Sequence, residues 1–171
     1  MTRHAKFYEA HFAELECLTL GHFIDHHLTV EIPEERVEDA MKIITTRYTP
    51  LGVVAAICPW NAPIVLAIGK ILPALLAGNT VIVKPSPFTP YSILKLVELA
   101  QEVLPPGVLQ GLGGSDELGP MITAHPGIAK ISFTGTIPTG KRIIEACAKT
   151  MKRVTLELSG NDAAKIGRAH V

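Results

Sequence analysis

Four short polar runs in this sequence carry groups able to do chemistry, and each follows or ends an apolar stretch. They are Cys58-Pro59-Trp60-Asn61, Lys84-Pro85-Ser86, Thr134-Gly135-Thr136, and Glu157 at the end of a fifth apolar run. An amide can donate to an oxyanion, and an ammonium can bind ribose or phosphate oxygens. A glycine turn onto a helix N-terminus suits a pyrophosphate, and a carboxylate can act as a base. Each group also has a plainer use: Asn61 as a turn residue, Lys84 in solvent, Glu157 on a wet strand face. Convergence favours chemistry, because in a parallel α/β sheet all of them would share the carboxyl edge where ligands bind.

The elements that must position them follow from the pattern. From Leu51 onward short β-branched runs alternate with helical periodicity, which predicts consecutive βαβ units and a doubly wound parallel sheet covered on both faces. The predicted strand cores are Val53 to Ile57, Thr80 to Val83, Val108 to Leu112, Ala129 to Phe133 and Val154 to Leu158, with four helices between them. In the second of these helices Thr89 is placed to cap, Pro90 suits the first turn, and Pro105-Pro106-Gly107 marks the end. Its apolar stripe is Ile93, Leu94, Val97, Ala100 and Leu104. A further helix from about Thr136 to Lys149 puts Ile143, Ile144 and Cys147 on one stripe, which makes Cys147 a core residue. The apolar stretch Ala62 to Ala77, broken by Lys70 and Pro73, is shorter than the roughly 20 residues of a membrane span and reads as a buried helix. Residues 1 to 46 show no long period; Val30-Glu31-Ile32-Pro33 looks like a short strand or sheet edge.

Composition narrows the function classes. The chain has 171 residues, 47% of them hydrophobic, enough for one domain with a core. Sixteen basic residues against sixteen acidic ones leave no net field to attract nucleic acid or an anionic membrane. No secretory leader is visible, and Cys17, Cys58 and Cys147 form no CxxC pair, so a cytoplasmic setting with reduced thiols is expected. His22, Asp25, His26 and His27 lack regular ligand spacing, and no metal site is expected.

At the strand-end residues the sequence resembles the aldehyde dehydrogenase superfamily almost continuously from Tyr48 to Ala164, most closely its fungal members. The resemblance is carried by Pro50-Leu51-Gly52-Val53-Val54, Pro59-Trp60-Asn61-Ala62-Pro63, Lys84-Pro85-Ser86, Phe133-Thr134-Gly135-Thr136 with Gly140-Lys141, and Leu156-Glu157-Leu158-Ser159-Gly160. It implies a Rossmann-like cofactor-binding domain over 47–164, preceded by an N-terminal segment of the family fold over 1–46. It also implies oxidation of an aldehyde to an acid with NAD or NADP, through thiolate attack, hydride transfer and thioester hydrolysis. Asn61 would help hold the oxyanion and Glu157 would be the base. Lys84 would bind the adenosine ribose, and Ile57 and Trp60 would touch the cofactor. Gly135, Thr136 and Thr139 would lie against the diphosphate, and Ser86, Gly119, Phe133 and Leu158 complete the implied cofactor contacts. An aldehyde substrate and a homo-oligomeric full-length enzyme are implied as partners. The family's nucleophilic cysteine falls beyond Glu157, and none of the three cysteines here matches it, so the chain alone is expected to be inactive.

Two departures stand out. Pro87 replaces a Glu that in many members accepts hydrogen bonds from the ribose, which predicts relaxed cofactor preference and use of NADP. Ser159 replaces the usual glycine after Glu157-Leu158, with strain expected if that position needs positive φ. The last seven residues, 165–171, do not resemble the family. Ile166 to Val171 and a stop are spelled by ATC-GGA-AGA-GCA-CAC-GTC-TGA, a common sequencing-adapter string, so adapter read-through is the expected origin of the tail. Met1 is not assumed to be the native start. Two rival functions remain. Gly135 to Lys141 fits GxxxxGK, as in a phosphate-loop nucleotidase, but Arg142 stands where a hydroxyl should ligate Mg²⁺. The other is a non-catalytic nucleotide-binding or oligomerisation module.

Overall fold

The computed structural model describes residues 34–39 and 41–160. The His22 to His27 cluster, the Val30 to Pro33 segment, Cys17 and the 165–171 tail lie outside the described residues. An antiparallel ribbon of β1 (Glu35–Glu38) and β2 (Ile43–Thr46) comes first. Five parallel strands follow: β3 (Val53–Ile57), β4 (Thr80–Lys84), β5 (Leu109–Gly111), β6 (Lys130–Gly135) and β7 (Arg153–Leu158), in the spatial order β5-β4-β3-β6-β7. The helices α1 (Pro63–Leu76), α2 (Pro90–Ala100), α3 (Leu118–Ala124) and α4 (Ile137–Ala148) alternate with them.

Two apolar clusters divide the helices between the faces of the sheet. Ala56, Cys58, Val81, Val83 and Leu109 pack with Ala67 and Ile71 of α1 and Ile93 and Val97 of α2. Ala55, Ile57, Ile131 and Phe133 pack with Ile122 of α3 and Ile143 and Cys147 of α4. The central strand thus places alanines, fully buried, toward both helical layers, and their small side chains let both layers close on it. Since β4 and β5 grow outward on one side of β3 while β6 and β7 grow on the other, the order reverses between β3 and β6. A crevice opens outside the strand ends at such a switch point.

Several local expectations change. The β1–β2 ribbon was not anticipated; its turn is an Asx turn in which the Asp39 Oδ1 accepts from the N–H groups of Met41 and Lys42, followed by the β-branched run Ile43-Ile44-Thr45-Thr46. Helix α2 stops at Ala100 rather than at Pro105. Gln101 turns its side chain to the Leu109 carbonyl, 2.9 Å away, and Pro105 disfavours helical geometry at Leu104. Thr89 occupies the N-cap position of α2 but makes no capping hydrogen bond. On α4, Ile143 and Cys147 are buried while Ile144 is half exposed: it lies one residue, about 100° of helical turn, from the core-facing Ile143.

Candidate active site

At the carboxyl end of β3 the chain leaves the sheet through Cys58 and turns at Pro59-Trp60-Asn61 into α1, whose first residue is Pro63. Proline suits that position because its missing N–H would have no intrahelical partner. Trp60 and Asn61 are exposed. Cys58 is buried, and its backbone N–H donates to the Lys84 carbonyl, 3.0 Å away, holding the start of this loop to the end of β4.

Lys84 is the register partner of Ile57, and both project toward the α3 and α4 face. Its side chain is only 6% exposed, yet its Nζ meets one protein acceptor, the Pro85 carbonyl at 3.3 Å. A buried ammonium this sparsely bonded is suited to accept a polar ligand. Ser86 is buried beside it, and its Oγ accepts from the Phe88 N–H. Ile57 and Phe133 are 8% and 6% exposed and belong to the core under α3 and α4, so their side chains serve the core and their main chains form the strand ends.

Strand β6 runs farther than its apolar core suggests, because β7 pairs with it through Thr134↔Glu157 and Gly135↔Leu158. Gly135 has a steric reason to be glycine: a Cβ there would overlap the Phe133 ring. Immediately after it, Thr136 caps α4, with its Oγ1 accepting from the Thr139 N–H and lying 3.0 Å from the Thr139 Oγ1. At this helix start Pro138 has no N–H and those of Thr139 and Gly140 are taken by Thr136, so the two exposed hydroxyls, the Ile137 N–H and the positive end of the helix make the anion-receptive arrangement. Gly140 keeps α4 close to β7, since a Cβ there would come within 2.7 Å of Leu158. Gly119 lies in the first turn of α3, at the same end of the sheet, with open space where a Cβ would stand. Ser159 is not among the residues with positive φ; its N–H donates to the Gly135 carbonyl at 3.0 Å in a continuation of the ladder. The strain considered for it is absent.

Glu157 is exposed on the sheet face opposite Phe133, beside Thr134. On that face the structure adds a residue that sequence reasoning treated only as an interruption of an apolar run. Lys70 of α1 reaches across and donates to the Thr134 Oγ1 at 2.7 Å. Burial pulls the Lys70 pKa down, while nearby Cys58 and Glu157 push it back up. The available signal was a lysine in the middle of an otherwise apolar, sheet-packed helix, a position that needs a partner. Burial also pushes the Cys58 thiol up to about 12, against the opposing pull of Lys70 and Lys84. Such a thiol is not a nucleophile at neutral pH. Among the described residues no group of three or more His, Cys, Asp or Glu is placed to hold a metal.

A five-stranded parallel sheet whose strand order reverses at its centre, with helices on both faces, defines a Rossmann-like α/β domain. The sequence matches the aldehyde dehydrogenase family over residues 9–168. It is 58% identical over 154 residues to FUS7 of the fungus Gibberella fujikuroi, which carries the same family name; the match covers 90% of this chain and 33% of FUS7. Among solved structures it superposes on a lactaldehyde dehydrogenase with a TM-score of 0.82 at 33% identity, covering 88% of this chain and 33% of that one. It also superposes on PnpE in complex with nicotinamide adenine dinucleotide, with a TM-score of 0.73 at 42% identity, covering 75% of this chain and 27% of PnpE. The chain belongs to the aldehyde dehydrogenase family, and it spans about a third of the length of these relatives.

Proposed function

We propose that residues 47–164 form the cofactor-binding part of an NAD- or NADP-dependent aldehyde dehydrogenase, oxidising an aldehyde to a carboxylic acid in the cytoplasm. The observation that carries this reading is the convergence of Asn61, Lys84, Thr136 and Glu157 on one edge of a family-matched sheet. The residues present fit a dinucleotide. Lys84 and Ser86 would hold the adenosine ribose, and Thr136, Thr139 and the α4 N-terminus the diphosphate, with Gly135 leaving room for close approach. Gly119, Trp60, Leu158 and the main chain at Ile57 and Phe133 would border the remainder. When bound, the nicotinamide supplies the acceptor for the hydride released by the aldehyde.

This chain's own residues then have separate tasks. The Asn61 amide donates to the oxygen that becomes negative as the carbonyl carbon turns tetrahedral. Glu157 takes a proton, from the attacking thiol or from the hydrolytic water. Lys70 donates to the Thr134 hydroxyl, so that hydroxyl must aim its own proton elsewhere. Cys58 and Cys147 are too buried to attack an aldehyde, and the thiolate is assigned to family sequence downstream of Glu157. Cys17, outside the described residues, does not match the family's nucleophile either, and the 171-residue chain is expected to be inactive alone. With Pro87 at the ribose, no carboxylate there repels a 2′-phosphate, which supports use of NADP as well as NAD.

Homo-oligomerisation of the full-length enzyme is part of the same proposal. A two-stranded ribbon is marginal alone, and β1–β2 exposes the register partners Val37 and Ile44 on one face, an apolar pair for a second copy to cover. Trp60 is the only tryptophan, so titration of the purified chain with NAD+ and NADP+ can be followed by its fluorescence. A saturable response is expected, weakened about tenfold by Lys84→Met through loss of a charge-assisted contact. Absence of any saturable response to either cofactor contradicts the proposal.

A further inference from the structure

Thr89 poses a question that the fold leaves open. It sits at the N-cap of α2, where a threonine side chain ordinarily accepts from the first turn of its helix, yet α2 has no side-chain cap. Its Oγ1 instead lies 3.4 Å from the Trp60 carbonyl, 29 residues away, and donates to it. That carbonyl belongs to the peptide unit leading into Asn61. A peptide unit is planar, so holding its oxygen fixes the opposite direction of the Asn61 N–H and the frame from which the Asn61 side chain departs.

The segment delivering Thr89 is stiff. Between Lys84 and α2 run Pro85, Ser86, Pro87, Phe88 and Thr89, two of them prolines with fixed φ, and a third, Pro90, opens the helix. The turn is closed by the Phe88 N–H on the Ser86 Oγ and by the Thr89 N–H on the Ser86 carbonyl, each 3.3 Å. At its other end the strap is joined to the same loop by the Cys58 N–H on the Lys84 carbonyl. The loop bearing Asn61 is therefore pinned at both ends to the segment bearing Lys84 and Ser86.

We propose that Thr89 is a positioning residue: its hydroxyl, acting through the Trp60 carbonyl, locks the Asn61 loop to the proline-stiffened strap that carries Lys84. Occupation of the strap thereby sets how Asn61 is presented. The link to catalysis rests on the reading of Lys84 as a cofactor residue and Asn61 as an oxyanion donor; the lock itself does not.

The test uses Trp60 in the purified chain, with acrylamide quenching as the readout and thermal melting as the control for folding. Thr89→Ser keeps the donor and should quench as the parent does. Thr89→Val and Thr89→Ala lose it and should quench more readily, the unlocked population rising about two- to fivefold for a hydrogen bond of this length. Thr89→Asp separates the alternatives, because aspartate is a good cap but cannot donate: it should behave like Thr89→Val. Parent-like quenching in the valine and alanine variants, or in the aspartate variant, overturns the lock. In the full-length enzyme, Thr89→Val should lower kcat about two- to fivefold by the same reckoning while the KM for NAD+ is unchanged, with Thr89→Ser restoring kcat. An unchanged kcat there overturns the coupling. If the parent chain gives no Trp60 response to NAD+, the cofactor reading fails, and the quenching series still decides the lock.

Discussion

The two ends of the parallel sheet use the same residue types in opposite ways. At the amino end, Asn79 is buried and bonded through both halves of its amide: its Oδ1 accepts from the N–H groups of Leu51 and Gly52, and its Nδ2 donates to the Ala74 carbonyl. Nearby, Lys152 donates to the carbonyls of His125 and Ile128. These groups tie the approach to β3, the end of α1 and the approach to β6 into one frame, where Gly52 and Gly78 take positive φ to make the turns. At the carboxyl end, Asn61 has no side-chain hydrogen bond to another described residue, and Lys84 meets a single carbonyl. An amide or ammonium bonded to several main-chain groups holds a fold together, whereas one left open beside a crevice is available to a ligand. Asn79 and Asn61 cannot be told apart by residue type; their partners distinguish them.

Substitutions at the two ends should fail differently. In the full-length enzyme, Glu157→Gln is expected to cut kcat by about 10²- to 10⁴-fold, the usual worth of a general base, with the melting temperature of the chain unchanged. Asn61→Ala should cost about 10²- to 10³-fold in kcat, as for an oxyanion donor, again without loss of stability. Asn79→Ala should do the reverse, lowering stability by about 3 kcal/mol in urea denaturation through three lost hydrogen bonds. Equal loss of stability at Asn61 and Asn79 would erase the contrast between the ends.

Two smaller effects sharpen it. Pro87→Glu should raise the preference for NAD+ over NADP+ by about tenfold by setting a carboxylate against the 2′-phosphate, measured as the ratio of the two kcat/KM values. Cys58 makes stability depend on pH. Its folded pKa is raised from 9.0 to about 12, so the unfolded chain releases the thiol proton first. The stability contributed by burying the neutral thiol is complete below pH 9 and is lost as pH rises toward 12. Denaturation midpoints across that range should fall more steeply for the parent than for Cys58→Ala.

Much of this architecture was readable from periodicity. The run Val53-Val54-Ala55-Ala56-Ile57 reads as a strand from its apolar continuity, and the helix expected from about Thr136 to Lys149 spans Ile137–Ala148. Local pattern could not show the β1–β2 ribbon, which is exposed on all its residues and so lacks the in-out alternation of a half-buried strand. The end of α2 was misjudged because Gln101 answers to Leu109, a partner outside its helix. At the candidate site the strand-end residues Asn61, Lys84 and Glu157 were visible as types and positions. Lys70 and the diverted hydroxyl of Thr89 were not, because each acts through a residue far away in sequence, Thr134 and Trp60 respectively.

The central claim is that this edge serves aldehyde oxidation and takes its nucleophile from family sequence downstream of Glu157. Its most direct test is NADH formation from NAD+ and a panel of aldehydes, with the 171-residue chain and a full-length enzyme containing it assayed side by side. Turnover by the full-length enzyme and none by the chain is the predicted result. NADH formation by the chain alone, or an inert full-length enzyme across the whole panel, would contradict it.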